Sequence, residues 1–151
     1  MNVTPQAIAK DVAATGFGAE PIAKVFRLMA LLDALHSHPF LKTRIALKGG
    51  TALNLFHFEV PRLSVDIDLN YIGAALRETM LVEKPKVEQA VQAVCSREGL
   101  TIRRVPTDHA GGKWRLTYVG TRGAPGNLEL DVNFMLRTPL WPCVTKDCHP
   151  I

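Results

Sequence analysis

The residues with the most chemistry to offer lie between Lys48 and Asn70, a stretch reading KGGTALNLFHFEVPRLSVDIDLN. Within it, residues 64–71 (SVDIDLNY) alternate apolar and polar side chains. On a β-strand that alternation sends Val65, Ile67 and Leu69 to one face and Asp66, Asp68 and Asn70 to the other. The apolar face belongs to a core, so the two aspartates are displayed together, about 6.5–7 Å apart along the chain. Paired carboxylates of this kind suit Mg²⁺, which takes hard oxygen ligands and shares its shell with substrate phosphates. Two such ions clamp the attacking and leaving oxygens of an in-line phosphoryl transfer. A third carboxylate usually completes the cage. Asp131, on the outward face of a later alternating strand, is the best candidate, and Glu129 on the same face is its rival. Upstream, Gly49-Gly50-Thr51 forms a tight turn ahead of a helix start. Glycine lets backbone approach a ligand closely, and the free N–H groups of a helix start attract phosphate.

Either feature alone is weak. A glycine pair before a helix is most often a plain turn, and a DxD on an alternating strand is often a solvated face. A glycine turn, a helix, Arg62-x-Ser64-x-Asp66-x-Asp68 and a distant strand aspartate together are far more specific.

The surrounding elements must position these groups. Residues 5–15 predict a short helix ending at Gly16. A longer one runs from about Glu20 to His36, with Ile22, Val25, Phe26, Met29, Leu32 and Leu35 as its apolar stripe and Pro39 as its stop. Arg44–Lys48 reads as a short strand, and Thr51 as the N-cap of a helix from Ala52 to about Phe58. A further helix spans about Lys84 to Glu98, stopped by Gly99. Strands are expected at Leu100–Val105, Lys113–Val119 and Asn127–Leu136, separated by Gly/Pro-rich loops. The pattern is an α/β fold, a short mixed sheet with helices packed on one side. Residues 1–137 form one domain, and 138–151, with three prolines, an irregular tail.

Composition sets the outer bounds. The 151 residues are 47% apolar and 21% charged, which is ordinary for one globular domain. The net charge of +4 favours phosphate-bearing partners without demanding them. No apolar run reaches the roughly 20 residues of a membrane span, and no secretory signal opens the chain, so a cytoplasmic location without membrane association is expected. Cys95, Cys143 and Cys148 make an odd count that argues against a disulfide framework.

The motif KGGTALNLF…PRLSVDIDL resembles the nucleotidyltransferase superfamily shared with DNA polymerase β, and more narrowly the AbiEii/AbiGii (MenT-like) toxins of bacterial toxin–antitoxin systems. The resemblance extends from about Leu47 through HAGGKWRLTY (109–118) to LELDVNFMLRTPL (128–140). It implies a polymerase-β-like fold and Mg²⁺-dependent transfer of a nucleotidyl group from an NTP to an RNA, such as a tRNA end, or to a protein. It implies a cognate antitoxin as partner and growth arrest or abortive infection as the outcome. Residue by residue, Gly50 and Thr51, with Gly49, match the turn that holds nucleotide phosphate. Asp66 and Asp68 match the metal pair. Asp131 matches the third carboxylate, for metal or for activating the acceptor hydroxyl. Lys113 falls where a basic residue meets triphosphate. Arg62 and Ser64 brace the loop or touch phosphate, and Lys48 does either. Family members usually continue into a mainly helical C-terminal region, which is expected to be missing here, since the residues stop at Ile151.

Two other functions compete: a catalytically silent module that binds NTP or antitoxin, and a small-molecule transferase such as an antibiotic-modifying enzyme. Cys143-x4-Cys148-His149 has no second ligand pair at a zinc-site spacing and reads as plain tail. His36 and His38 suit a helix C-terminus. His57 and Trp114 read as packing residues, and His109 as a loop residue. Arg103, Arg104, Arg115 and Arg122 offer charge to RNA, which a solvated surface explains equally well.

Overall fold

The computed structural model describes residues 4–58, 63–106, 111–120 and 122–148. Helices α1 (Pro5–Thr15) and α2 (Ala19–Ser37) come first. They are followed by strand β1 (Ile45–Lys48), helix α3 (Gly49–Phe56), strand β2 (Asp66–Tyr71) and helix α4 (Arg77–Arg97). Strands β3 (Thr101–Val105), β4 (Gly112–Val119) and β5 (Pro125–Asn133) complete the order. Residues 134–148 run on without helix or strand.

The five strands form one mixed sheet in the order β1-β2-β5-β4-β3. All neighbours are antiparallel except β2 and β5, which run parallel at its centre. A parallel pair cannot be joined by a tight turn, so α4, β3 and β4 fill the crossover between them. Alternation then decides the faces. Ile67, Leu69 and Tyr71 of β2, Leu128, Leu130 and Val132 of β5, and Trp114, Leu116 and Tyr118 of β4 are all buried in the core that α2 and α4 cover. The opposite face is left to the polar residues of the same strands.

Three helices differ from their sequence-based outlines. In α2 the fully buried positions are Ile22, Val25, Leu28 and Leu31, with Leu35 almost so, while Phe26, Met29 and Leu32 pack at the edge. The segment is apolar over much of its circumference, so three- and four-residue spacing alone does not fix which stripe faces inward. Helix α4 starts at Arg77 rather than near Lys84 and carries Pro85 inside it. Proline removes a helical hydrogen bond. Here the turns before it are anchored from outside. Glu83 takes Arg44 Nε at 3.0 Å and the Tyr71 hydroxyl at 2.6 Å, and Met80 is buried. Helix α3 likewise begins at Gly49 rather than Ala52, with Lys48 as its N-cap and without a side-chain cap. Thr51 is already within its first turn.

Candidate functional site

Strand register gathers the predicted residues. On β2, Asp66 is exposed and Asp68 half-buried, with Ile67 fully buried between them. The parallel partner β5 sets Asp131 directly beside Asp68, and Glu129 beside Asp66. On the outer flanks Lys48 of β1 pairs with Asp68, and Lys113 of β4 pairs with Asp131. Paired positions share a face, so one row across four strands reads Lys48, Asp68, Asp131, Lys113. The next row reads Asp66, Glu129, Arg115, Arg103. Neighbouring strands lie about 4.8 Å apart, which brings carboxylates separated by more than sixty residues of chain within reach of a shared ligand.

The turn at the end of β1 presses on this row. Gly49 has φ +76°, in the left-handed region, and a Cβ built on it would lie 2.5 Å from Asp68 Oδ2. Glycine is therefore required twice over, by the backbone and by the carboxylate lying against it. Gly111 stands in a similar relation to the other aspartate: its Cβ would sit 3.7 Å from Asp131 Oδ1 and 3.1 Å from the Val132 carbonyl oxygen. Gly49 and Gly50 are exposed, so the N–H end of α3 opens to solvent next to Asp68.

Thr51 is the one buried polar residue among those described, fully enclosed. Its hydroxyl donates to the backbone carbonyl of Asp66 at 2.5 Å and is hydrogen-bonded with Ser64 Oγ at 3.0 Å. The side chain thus braces the strand that carries the aspartates, and what Thr51 turns towards the glycine turn is backbone. Ser64 takes part in the same brace, and its N–H donates to Asn54 Oδ1 at 3.0 Å. Arg62 and His109 fall outside the described residues, as does His149.

Charge on this face is unevenly paired. Lys113 Nζ lies 2.8 Å from Glu129 Oε2, and Arg115 Nη2 lies 3.8 Å from Glu129 Oε1. The hydrogen bond from Lys113 holds the Glu129 carboxyl below the usual carboxylate range. Glu129 in turn, ahead of Asp131 and Asp66, raises the Lys113 ammonium above its ordinary value. Among the described residues no lysine or arginine forms an ion pair with Asp66, Asp68 or Asp131. Among the same residues no three His, Cys, Asp or Glu side chains are drawn together as a finished metal cage. At one register on neighbouring strands, Asp68 and Asp131 offer carboxylate oxygens, which is the hard-ligand chemistry Mg²⁺ takes.

Sequence reasoning missed two contributors and gave a third another role. Asn54 escapes notice because an asparagine in a short helix carries no spacing signal. Gly111 sits in a second Gly-Gly pair that reads as an ordinary loop. Glu129 was weighed as a rival ligand, and the structure places it on Lys113. The two adjacent arginines of β3 separate: Arg103 shares the carboxylate face, while Arg104 turns to Glu88 at 2.9 Å and lies over the Trp114 ring. Trp114 is fully buried, as a packing residue should be. His57 approaches Lys146 of the C-terminal stretch at 3.3 Å. Cys143 is exposed and Cys148 packs on the core edge, both as free thiols.

Comparison with known proteins agrees with the fold. The family described as nucleotidyl transferase AbiEii toxin, type IV toxin–antitoxin system, matches residues 30–151. Among solved structures, the nucleotidyltransferase toxin MenT4 from Mycobacterium tuberculosis H37Rv has a similar fold, with a TM-score of 0.57 at 18% identity. The similarity covers 99% of this chain and 49% of that one, so the chain spans about half the length of MenT4. No curated protein matches. No helix among the described residues is long and apolar enough to cross a membrane.

Proposed function

We propose a function that starts from one fact: this chain belongs to the AbiEii family of nucleotidyl transferase toxins. Its reaction is the transfer of a nucleotidyl group from an NTP to an acceptor hydroxyl, with Asp66, Asp68 and Asp131 as the residues that hold Mg²⁺. The observation that carries the reading is the register that sets Asp131 beside Asp68, next to a glycine in left-handed conformation. A divalent cation bound there supplies Lewis-acid polarisation of the phosphate oxygens and neutralises their charge.

The chain's own groups do the rest. The N–H groups of the exposed residues Gly49 and Gly50, at the positive end of α3, receive phosphate oxygens. Lys48 and Lys113 flank the aspartates and balance the triphosphate charge. Thr51 and Ser64 keep Asp66 in place from behind. A carboxylate oxygen of Asp131 takes the proton of the attacking hydroxyl. As the new O–P bond forms at the α-phosphorus, the bond to pyrophosphate breaks, and pyrophosphate leaves.

The acceptor in this reading is an RNA, such as a tRNA end, or a protein. Exposed Arg103 and Arg115 on the carboxylate face favour an anionic one. The setting is the cytoplasm, the biological role that of a toxin restrained by an antitoxin, and abortive infection its outcome. Incubation of α-labelled NTPs and Mg²⁺ with total RNA and cell extract tests the whole scheme. Label should appear in RNA or protein and vanish with Asp66→Ala; transfer unchanged by that substitution would refute the metal role. Label moving with neither macromolecule present would mark a small-molecule transferase, and NTP binding by calorimetry without transfer would mark a silent binding module.

A further inference from the structure

We infer that Glu129 is a positioning residue that draws the Lys113 ammonium away from Asp131 and so keeps the Asp68–Asp131 pair open to a divalent cation. This rests on the cation reading above. The direct cross-strand neighbour of Lys113 is Asp131, and that of Arg115 is Glu129. Directly opposed side chains stand about 4.5–5.5 Å apart at Cβ, and diagonal ones about 7–8 Å. Proximity therefore favours Lys113 on Asp131. The pairing observed is the diagonal one: Lys113 Nζ reaches Glu129 Oε2 at 2.8 Å, while Arg115, directly opposite, stays at 3.8 Å. Among the described residues Asp131 is left without an ion pair, in a face that carries Lys113 and Lys48 on either side.

The consequence follows from charge. An ammonium seated on Asp131 occupies the same oxygens that a metal ion needs. Glu129 supplies a rival carboxylate just far enough along the strand to hold the lysine aside, and Arg115 steadies that carboxylate from its other oxygen. The lysine remains within a side chain's length of the site, where a triphosphate can recruit it. Without the Glu129 charge, the nearest carboxylate to Lys113 is Asp131, and the lysine becomes a competitor for the cation.

Mn²⁺ is a suitable probe, its free concentration read by electron paramagnetic resonance on the full chain without nucleotide. The proteins are wild type, Glu129→Gln, Lys113→Met, the double variant, and Asp131→Asn as site control. Glu129→Gln should weaken Mn²⁺ binding by about fivefold, the upper end of what one exposed ion pair supplies. Lys113→Met should restore most of that loss in the Glu129→Gln background and act by a markedly smaller factor in wild type, a coupling that a double-mutant cycle isolates. If Lys113→Met acts by the same factor in both backgrounds, Glu129 contributes only general negative charge and the inference is overturned. Unchanged binding in Glu129→Gln overturns it equally. An additive cycle on a Mn²⁺ site that Asp131→Asn abolishes defeats this inference alone. No binding by wild type, or full binding by Asp131→Asn, defeats the cation reading and this inference with it.

Discussion

Gly49→Ala separates two demands that the same residue meets. Gly49 has φ +76°, and so does Gly99, at the end of α4. A side chain in the left-handed region costs about 1–2 kcal/mol. For a chain of this size each kcal/mol moves Tm by about 2–4 °C, so either glycine-to-alanine change should lower Tm by roughly 2–8 °C. Beyond that the two sites diverge. A Cβ at Gly99 meets nothing within 4 Å, whereas one at Gly49 lies 2.5 Å from Asp68 Oδ2. Ordinary van der Waals contact begins at 3.4 Å, so the carboxylate must retreat by about 0.9 Å, the difference of the two distances. A shift of about 1 Å in a reacting group can remove some 100-fold in rate.

The expected pattern is therefore asymmetric. Gly99→Ala should lose stability and keep its rate of label transfer from an α-labelled NTP within about twofold, while Gly49→Ala should lose stability and transfer about 100-fold more slowly. Calorimetric Tm and initial transfer rates, measured on the same preparations, report the two effects separately. Equal transfer rates in both variants, at equal loss of Tm, would show that the glycine serves the backbone alone and that Asp68 has no exacting position to keep.

Thr51→Val keeps shape and removes the buried hydroxyl, leaving the Asp66 carbonyl short of a partner; a loss of about 1–3 kcal/mol should appear in denaturant unfolding and be largely recovered by Thr51→Ser. Acid sensitivity should trace to Glu83, whose carboxyl is held low by the hydrogen bond from Arg44 and then that from Tyr71. Its contribution is complete above the ordinary carboxylate pKa and is lost as pH falls through the lowered folded value, so Glu83→Gln should flatten the acid limb of a stability–pH profile. At the alkaline end the Tyr71 phenol, pushed up to about 12 by burial and then by Glu83, stabilises the fold fully below its ordinary pKa of 10.0. That stability is lost as pH rises towards 12, and Tyr71→Phe should remove this alkaline dependence.

How much of this was legible in the sequence follows from which interactions are local. Alternation in SVDIDLNY puts Asp66 and Asp68 on one face because strand geometry has a period of two, and nothing distant can change that. The cap at Gly16 and the end of α4 near Gly99 are equally local, each marked by a glycine that enters positive φ. The start of α4 was not legible. The turns ahead of Pro85 are held by Arg44 and Tyr71, which lie far upstream, and no propensity within Arg77–Lys84 reports them. The hydroxyl of Thr51 illustrates the same limit from the other side. Its place after two glycines suggests an outward cap, yet β2 folds back against α3 and offers a carbonyl, so the side chain turns inward.

The adjacency of Asp68 and Asp131 lies between these cases. Each aspartate's face was readable, but their register was not, since it depends on β5 entering the sheet parallel to β2 and between β2 and β4. Once that order exists, a slip by one residue would turn Leu128, Leu130 and Val132 out of the core, so the apolar face enforces the parity of the register. A slip by two would keep the core and place Glu129 or Asn133 beside Asp68 instead. The hydrophobic pattern alone therefore permits several alignments, and only one of them sets Asp131 against the carboxylate over which Gly49 closes. Lys113 does not distinguish them, because its place opposite Asp131 and its ion pair with Glu129 belong to the β4–β5 register, which is the same whichever way β5 lies on β2. The core thus selects the face and the parity of the register, while the side-by-side carboxylates of Asp68 and Asp131, which repel, give this alignment no electrostatic advantage of their own.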